Sequence, residues 1–265
     1  MIADSPGRTV IDARAVVSPR AELAPDVDVG PFTVIGAGVT IGARTHIGPH
    51  AVIMGPTTIG EDNRIFQFAS IGDAPQDKKY RGEPTRLEIG HRNVFREYCT
   101  ANRGTTHDQG VTRIGDDNLL MAYTHVAHDC VIGNKTVLAN CATLGGHVQL
   151  GDWVIMGGLS AIHQFCRVGP HAFIANNAAV TRDVPPYLMA VGQPARPHSV
   201  NAEGLKRRGF TPEQIRNLRN AYKILYRSNL PLADAIAQLK TLVPAQPELG
   251  IFVDFIGDST RSIVR

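Results

Sequence analysis

The chain of 265 residues carries 27 basic and 24 acidic side chains, a formal net charge of +3, and 43% hydrophobic residues. That balance excludes intrinsic disorder and gives no charge-based case for nucleic acid; no apolar run approaches the roughly 20 residues that span a bilayer. Twenty-six glycines and 17 prolines mark a chain that turns often. The four cysteines (Cys99, Cys130, Cys141, Cys166) form no CxxC pair, and the start MIADSPGRTV has no apolar signal core. A cytoplasmic protein with reduced thiols is expected.

From Ile11 an aliphatic residue returns at every sixth position, through Val17, Leu23, Val29 and Ile35 to Ile71, often followed by glycine, as in Ile41-Gly42 and Ile47-Gly48. The register returns at Ile89 and Phe95, and a second train runs from Ile114 through Leu120 and Val126 to Val180. Four residues after each aliphatic one stands a compact residue, as at Thr33, Thr45, Ala51, Cys130 and Ser160. A period of six is neither helical nor simple alternation. It reads as short strands joined by tight turns, with the aliphatic and the compact residue both filling a narrow interior. This is a mainly β fold, a parallel β-helix with three hexapeptides, or 18 residues, per coil; glycine is expected to supply unusual backbone angles at the corners. Roughly ten coils at ~4.8 Å give a prism about 50 Å long. The pattern does not set the handedness.

Two polar segments interrupt the repeat. Residues 73–86 (DAPQDKKYRGEPTR) keep the phase, since Ile71 and Ile89 stand 18 positions apart, whereas residues 102–113 (NRGTTHDQGVTR) shift it by one. Polar loops expelled from a rigid scaffold are places where function gathers. After Val184 and the Pro185-Pro186 pair the chain is expected to turn helical, giving a β-helix over 1–192 and a helical unit over 193–265. Thr211-Pro212-Glu213-Gln214 spells a helix start, followed by Ile215, Leu218, Tyr222 and Leu225 as a buried face. Further helices are expected around 231–242, 247–256 and at the C-terminus.

Outward side chains 18 apart lie above one another. His128, Gly146 and Gln164 therefore form one column, and Asp129, His147 and Phe165 the next. His125 and His163 lie close by, so four of the ten histidines share one small region. A histidine base oriented by a carboxylate fits His128 with Asp129, provided a corner turns the two neighbours toward each other. Three histidines also suit a metal, and outward histidines also line subunit contacts. Cys130, Cys166 and Ser160 fall on inward positions, which leaves no nucleophile and favours direct attack by a substrate hydroxyl over an acyl-enzyme if the protein is an acyl transferase. Lys206, Arg207 and Arg208 form a cationic cluster suited to a diphosphate. Arg216, Arg219, Lys223 and Arg227 form a basic stripe suited to an acidic partner protein.

NLLMAYTHVAHDC (118–130), ATLGGHV (142–148), AIHQFC (161–166), QDKKYRGEPTR (76–86) and VNAEGLKRRGF (200–210) resemble, in order and over essentially the whole chain, one family. It is that of the acyl-carrier-protein-dependent UDP-N-acetylglucosamine O-acyltransferases, which begin lipid A synthesis. The N-acyltransferase of the same pathway is less similar, since it carries an added N-terminal domain where repeats here start by Ile11. The resemblance implies a left-handed β-helix, a homotrimer with clefts between subunits, and no metal or bound cofactor, the acyl group arriving on the phosphopantetheine of acyl carrier protein. It implies His128 as general base, Asp129 as its orienting partner and the Gly146 N–H as oxyanion donor. It further implies His125, His147 and Gln164 along the cleft, and Gln76, Asp77 and Lys79 reaching across the subunit interface. Asn201, Glu203, Arg207 and Arg208 would hold the uridine diphosphate, and Arg216, Arg219 and Lys223 the carrier. Asn176, where long-chain members have glycine, would shorten the accepted acyl chain. The rivals are a metal-dependent hydratase of carbonic anhydrase type on the same scaffold, and a non-catalytic trimeric scaffold.

Overall fold

The structure is a computed structural model and describes residues 9–265, so the first eight residues of the expected 1–192 unit lie outside the described residues. Short strands stack into three parallel sheets that form the faces of a prism. The first face runs upward from Val10–Ile11, the second from Val16–Val17 and the third from Glu22–Leu23. Undisturbed coils are in register with a step of 18, as in Val29 beside Ile47 and Val126 beside Leu144. The aliphatic train and the compact positions both point inward: Ile35, Ile47, Ile65 and Leu120 are buried, and so are Thr33, Thr45, Cys130 and Ser160. The two periodic positions meet in one core along the axis.

The corners differ from the expectation for glycine. Apart from Gly38, positive φ at the corners falls mostly on non-glycine residues, among them Phe32, His50, Phe68, Tyr98 and Tyr123 at one corner and Asp129, His147 and Phe165 at another. Several of these residues point the N–H at the coil below, as His50 does to Pro31 O (3.0 Å) and His147 to His128 O (3.0 Å). That bond offsets the ~1–2 kcal/mol of the left-handed conformation. The glycines after the aliphatic residues answer to stacking instead. A Cβ on Gly42 would lie 2.6 Å from the carbonyl carbon of Gly60, and one on Gly60 2.6 Å from Gly90 O.

Both interruptions leave the prism at one corner, between the second and third faces. Ile71 lies on the second face and Ile89 on the third, so these are consecutive faces and not positions one coil apart. Ile59 accordingly pairs with Ile89, and the segment 73–86 is an inserted loop whose length preserves the phase. The second loop lengthens the next coil, where Ile89 pairs with Ile114 and Ala101 with Val126. On the following coil the same corner carries His128 and Asp129.

Beyond the coils, the chain does not turn helical at once. Leu188–Val191 and Arg196–Val200 form an antiparallel hairpin that extends the first face, and the expected division at residue 192 falls in its turn. Then come helices α1 (Ala202–Arg207), α2 (Pro212–Arg227), α3 (Leu232–Leu242) and, after a single 3-10 turn, α4 (Gly250–Gly257). Thr211 caps α2 through the full reciprocal box with Gln214, and Leu218, Tyr222 and Leu225 are buried beneath it. The C-terminus is extended, not helical. Asp183 N–H donates to Ser262 O, and Val264 N–H donates to Asp183 O, so the tail adds an edge to the last coil while Ile263 and Val264 are buried.

At the corner between the third and first faces, His171 lies between Trp153 and Tyr187, with Phe210 against its edge. Burial, then the neighbouring Arg208 guanidinium, lowers its pKa to about 4. The unfolded chain takes up this proton near pH 6.5 and the folded chain does not, so stability falls as pH drops from 6.5 toward 4. In thermal melts, His171→Phe should lose about 2–6 °C less than the parent between pH 7 and pH 5.

Candidate active site

The corner above the two loops supplies the turn that a His–Asp pair of neighbours needs. Asp129 adopts φ 58, which swings its carboxylate back to the imidazole, and Oδ2 lies 2.9 Å from His128 Nδ1. The Asp129 carboxylate is buried and also accepts from Thr105 N–H (2.8 Å, Oδ1) and the Thr105 hydroxyl (2.7 Å, Oδ2). Burial pushes its pKa up, but the bonds from His128 and Thr105 outweigh this and hold it below the usual carboxylate range. An ionised Asp129 fixes the proton of neutral His128 on Nδ1 and leaves Nε2 as the acceptor. The Cε1–Nε2 edge of the ring faces Gly146, whose backbone sits so close that an added Cβ would lie 2.5 Å from Cε1. Among the described residues the Gly146 N–H meets no protein acceptor.

The dyad opens on a cleft of about 580 Å³ lined by Gln76, Asp77, Lys78 and Lys79 from the first loop, Thr105 and His107 from the second, and His128, His147, Gln164 and Phe165. The expected columns are present: His147 N–H donates to His128 O, Phe165 N–H donates to Gly146 O, and the His147 ring stacks on Phe165 at 4.3 Å. Gln76, Asp77 and Lys79 reach His128 within one chain, where the sequence reading sent them across an interface. The reason is that their loop leaves the same corner two coils below. A backbone hydrogen bond from Lys79 lowers the pKa of half-buried Asp77, with His128 contributing less.

Other expected residues lie elsewhere. His125 faces outward on the second face, its Nδ1 2.7 Å from the Thr100 hydroxyl, and burial lowers its pKa. Asn201 is buried and committed: its Oδ1 caps α1 at Gly204 N–H, and its Nδ2 donates to His171 O. Glu203 and Arg207 are exposed on α1, while Arg208 lies over the Trp153 ring at the corner between the third and first faces. A single chain therefore does not bring this group to His128. Asn176 is exposed near the corner between the first and second faces and accepts from Gly158 N–H. Arg216, Arg219, Lys223 and Arg227 are all exposed on α2, without an acidic partner among the described residues. Cys130 is buried, which pushes its thiol up to about 12 and rules it out as a nucleophile.

Sequence reasoning missed Lys78, Thr105 and His107, and placed Phe165 in the column without assigning it to the site. The signal was the coil length: Gly104 stands 25 positions before Asp129, the same step as Ala101 to Val126, which places the second loop directly beneath the dyad.

Comparison with known proteins agrees with the fold. The sequence model described as Udp N-acetylglucosamine O-acyltransferase, Domain 2, matches residues 183–264, and that of the bacterial transferase hexapeptide matches residues 112–146. The acyl-[acyl-carrier-protein]–UDP-N-acetylglucosamine O-acyltransferase of Thiobacillus denitrificans is 54% identical over 77% of this chain and 79% of its own. That of Herminiimonas arsenicoxydans is 55% identical over 78% and 80%. The chain belongs to this family. Among solved structures, the Francisella novicida UDP-N-acetylglucosamine acyltransferase superposes with a TM-score of 0.95 at 44% identity, covering 97% of this chain and 94% of that one. The Acinetobacter baumannii LpxA superposes equally well, at 46% identity over 97% and 100%. The β-helix is left-handed and the protein is an acyltransferase.

Because the Gly146 backbone abuts the His128 ring, Gly146→Ala must displace the imidazole. The variant should keep its melting temperature within a few degrees while kcat falls about 100-fold or more, the scale of a side chain displaced by about 1 Å.

Proposed function

We propose that the chain performs its family's reaction by direct attack: transfer of an acyl or 3-hydroxyacyl group from acyl carrier protein to the glucosamine 3-hydroxyl of UDP-N-acetylglucosamine, opening lipid A synthesis. The carrying observation is the buried, triply bonded Asp129 that leaves His128 Nε2 as a proton acceptor beside the unpartnered Gly146 N–H. The 3-hydroxyl loses its proton to His128 Nε2 as its oxygen attacks the thioester carbon. The resulting oxyanion is stabilised by the Gly146 N–H. Collapse expels the carrier thiolate, which takes the proton from the imidazolium, giving the O-acyl sugar nucleotide and the free thiol. His147 and Gln164 line the path, with His125 on the neighbouring face, and Gln76, Asp77 and Lys79 hold the sugar nucleotide from the loop side.

The remaining groups fit a homotrimer. Along the corner between the first and second faces, Phe32, His50, Phe68, Tyr98 and Tyr123 stack ring on ring at 4.8–5.2 Å while staying largely exposed, an apolar column suited to a second copy. In such an assembly Glu203, Arg207 and Arg208 of one copy meet the diphosphate at another copy's dyad, and Asn201 acts by holding α1 in place. The exposed Arg216, Arg219 and Lys223 dock the acidic carrier. Asn176 limits acyl length, favouring about ten to twelve carbons over fourteen. A donor delivered on acyl carrier protein fits a cytoplasmic location, and among the described residues no helix is long and apolar enough to cross a membrane.

Acyl transfer from carriers bearing each chain length, run with the parent and with His128→Ala, tests the reading. The parent should transfer, and the variant should lose about 10³-fold or more while remaining assembled. A preference for the fourteen-carbon donor would remove the role of Asn176. Arg219→Glu with Lys223→Glu should raise KM for the carrier at least several-fold, with the effect shrinking at high salt. A metal-dependent reading has one observation in its favour, since ligand atoms of His128, Asp129 and His147 lie within 4.8 Å of one another. Elemental analysis of active protein decides it: stoichiometric zinc, with activity lost on chelation, would replace the proton-transfer mechanism.

A further inference from the structure

The two expelled loops meet on one side chain. Arg103 sends Nη1 to Gly55 O (3.0 Å) and Gly72 O (2.7 Å), and Nη2 to the Tyr80 hydroxyl (3.2 Å). Tyr80 in turn donates to Glu83 O within the first loop. Backbone bonds run alongside: Arg103 N–H to Asp73 O and Gly104 N–H to Arg86 O, one at each root of that loop. Asn102 adds its side-chain amide to Ala74 O. Two residues beyond Arg103, Thr105 holds both oxygens of Asp129. Gly104 between them admits no side chain, because a Cβ would lie 2.2 Å from Val111 N and 2.7 Å from Asp129 Oδ1.

Arg103 is half-buried, its Nε is buried without a partner, and no carboxylate pairs with it among the described residues. A guanidinium desolvated without a counterion is costly, and a fold that needed only packing here would be served by an apolar side chain. What the planar fork offers is simultaneous reach to carbonyls of two lower coils and to a hydroxyl on a loop.

We propose that Arg103 is a positioning residue. It joins the loop 73–86, which walls the cleft with Gln76, Asp77 and Lys79, to the segment that fixes Asp129, so that the acceptor-binding wall and the general base keep one geometry. It touches no reacting atom; it acts through Tyr80 on one side and through Thr105 on the other. Its kinetic consequence rests on the acyl-transfer reading above, and the mechanical link does not.

The experiment compares Arg103→Gln, Arg103→Lys and Tyr80→Phe in the full chain. It records kcat, KM for UDP-N-acetylglucosamine, and amide hydrogen exchange over residues 74–86 and 103–110. Arg103→Gln should lower kcat about 10- to 100-fold and raise KM several-fold, as expected for a displacement on the order of 1 Å. Arg103→Lys should recover only part, since the charge returns without the fork. Tyr80→Phe, which removes one hydroxyl, should give smaller changes of the same sign and speed exchange in both segments, including 103–110, where no atom was altered. Exchange that rises only within 74–86 in Tyr80→Phe overturns the proposal. So do unchanged kinetics in a folded Arg103→Gln variant. If Arg103→Gln does not fold, Tyr80→Phe decides alone. If the parent transfers no acyl group, the acyl-transfer reading fails while the exchange comparison still decides the link.

Discussion

Every feature of this protein depends on the fixed step between stacked coils. Backbone N–H groups on the faces donate to carbonyls of the next coil, as Gly48 does to Ile65 (2.7 Å), and those at the corners donate to the coil below, as Lys135 does to Asp116 (2.8 Å). The ladder closes only if each face lies in register with the face above it. That requirement sends the chain through the left-handed region at the corners, makes the post-aliphatic positions too crowded for a side chain, and confines insertions to corners. It also converts spacing into proximity. Residues one coil apart must be neighbours, and so the aromatic column, the Arg44–Asp62 and Arg92–Asp117 pairs and the His128–Gly146 contact are products of one repeat.

A ladder this regular presents few polar groups that converge. The corner at His128 escapes the limit by expelling two loops on the coils directly below the dyad. From them come the cleft wall and the Thr105 donors, which a strand with fixed outward spacing does not supply. Asp129 shows what this achieves. A carboxylate 4% exposed would be driven toward its neutral form by burial alone, and only its donors keep it ionised and oriented on His128. The His128–Asp129 pair is therefore assembled from three successive coils at a single corner.

The C-terminal segments close the open end of the stack. The hairpin extends the first face, the Ser262–Val264 tail lies along Asp183, and the helices pack at the same end with the basic side of α2 in solvent. Asn201 illustrates how this packing reassigns a residue. As a free amide it suits a sugar nucleotide, yet its buried side chain is spent on the α1 cap and on His171 O.

The sequence by itself determined the β-helix, because a six-residue period allows no other packing of its aliphatic and compact residues. It also determined the α2 start, since the capping box is local, and the columns above His128, since they follow from the 18-residue step. Only the tertiary structure decided what lies beneath His128. The loops changed the step from 18 to longer intervals, and Thr105, His107 and Lys78 came to the dyad through a corner that composition does not mark. It alone also decided the hairpin after Val184 and the extended tail, whose short apolar runs read equally well as helix until the edge of the last coil offers them backbone partners. Spacing carries information only where the repeat is unbroken, and the proposed site lies where it breaks.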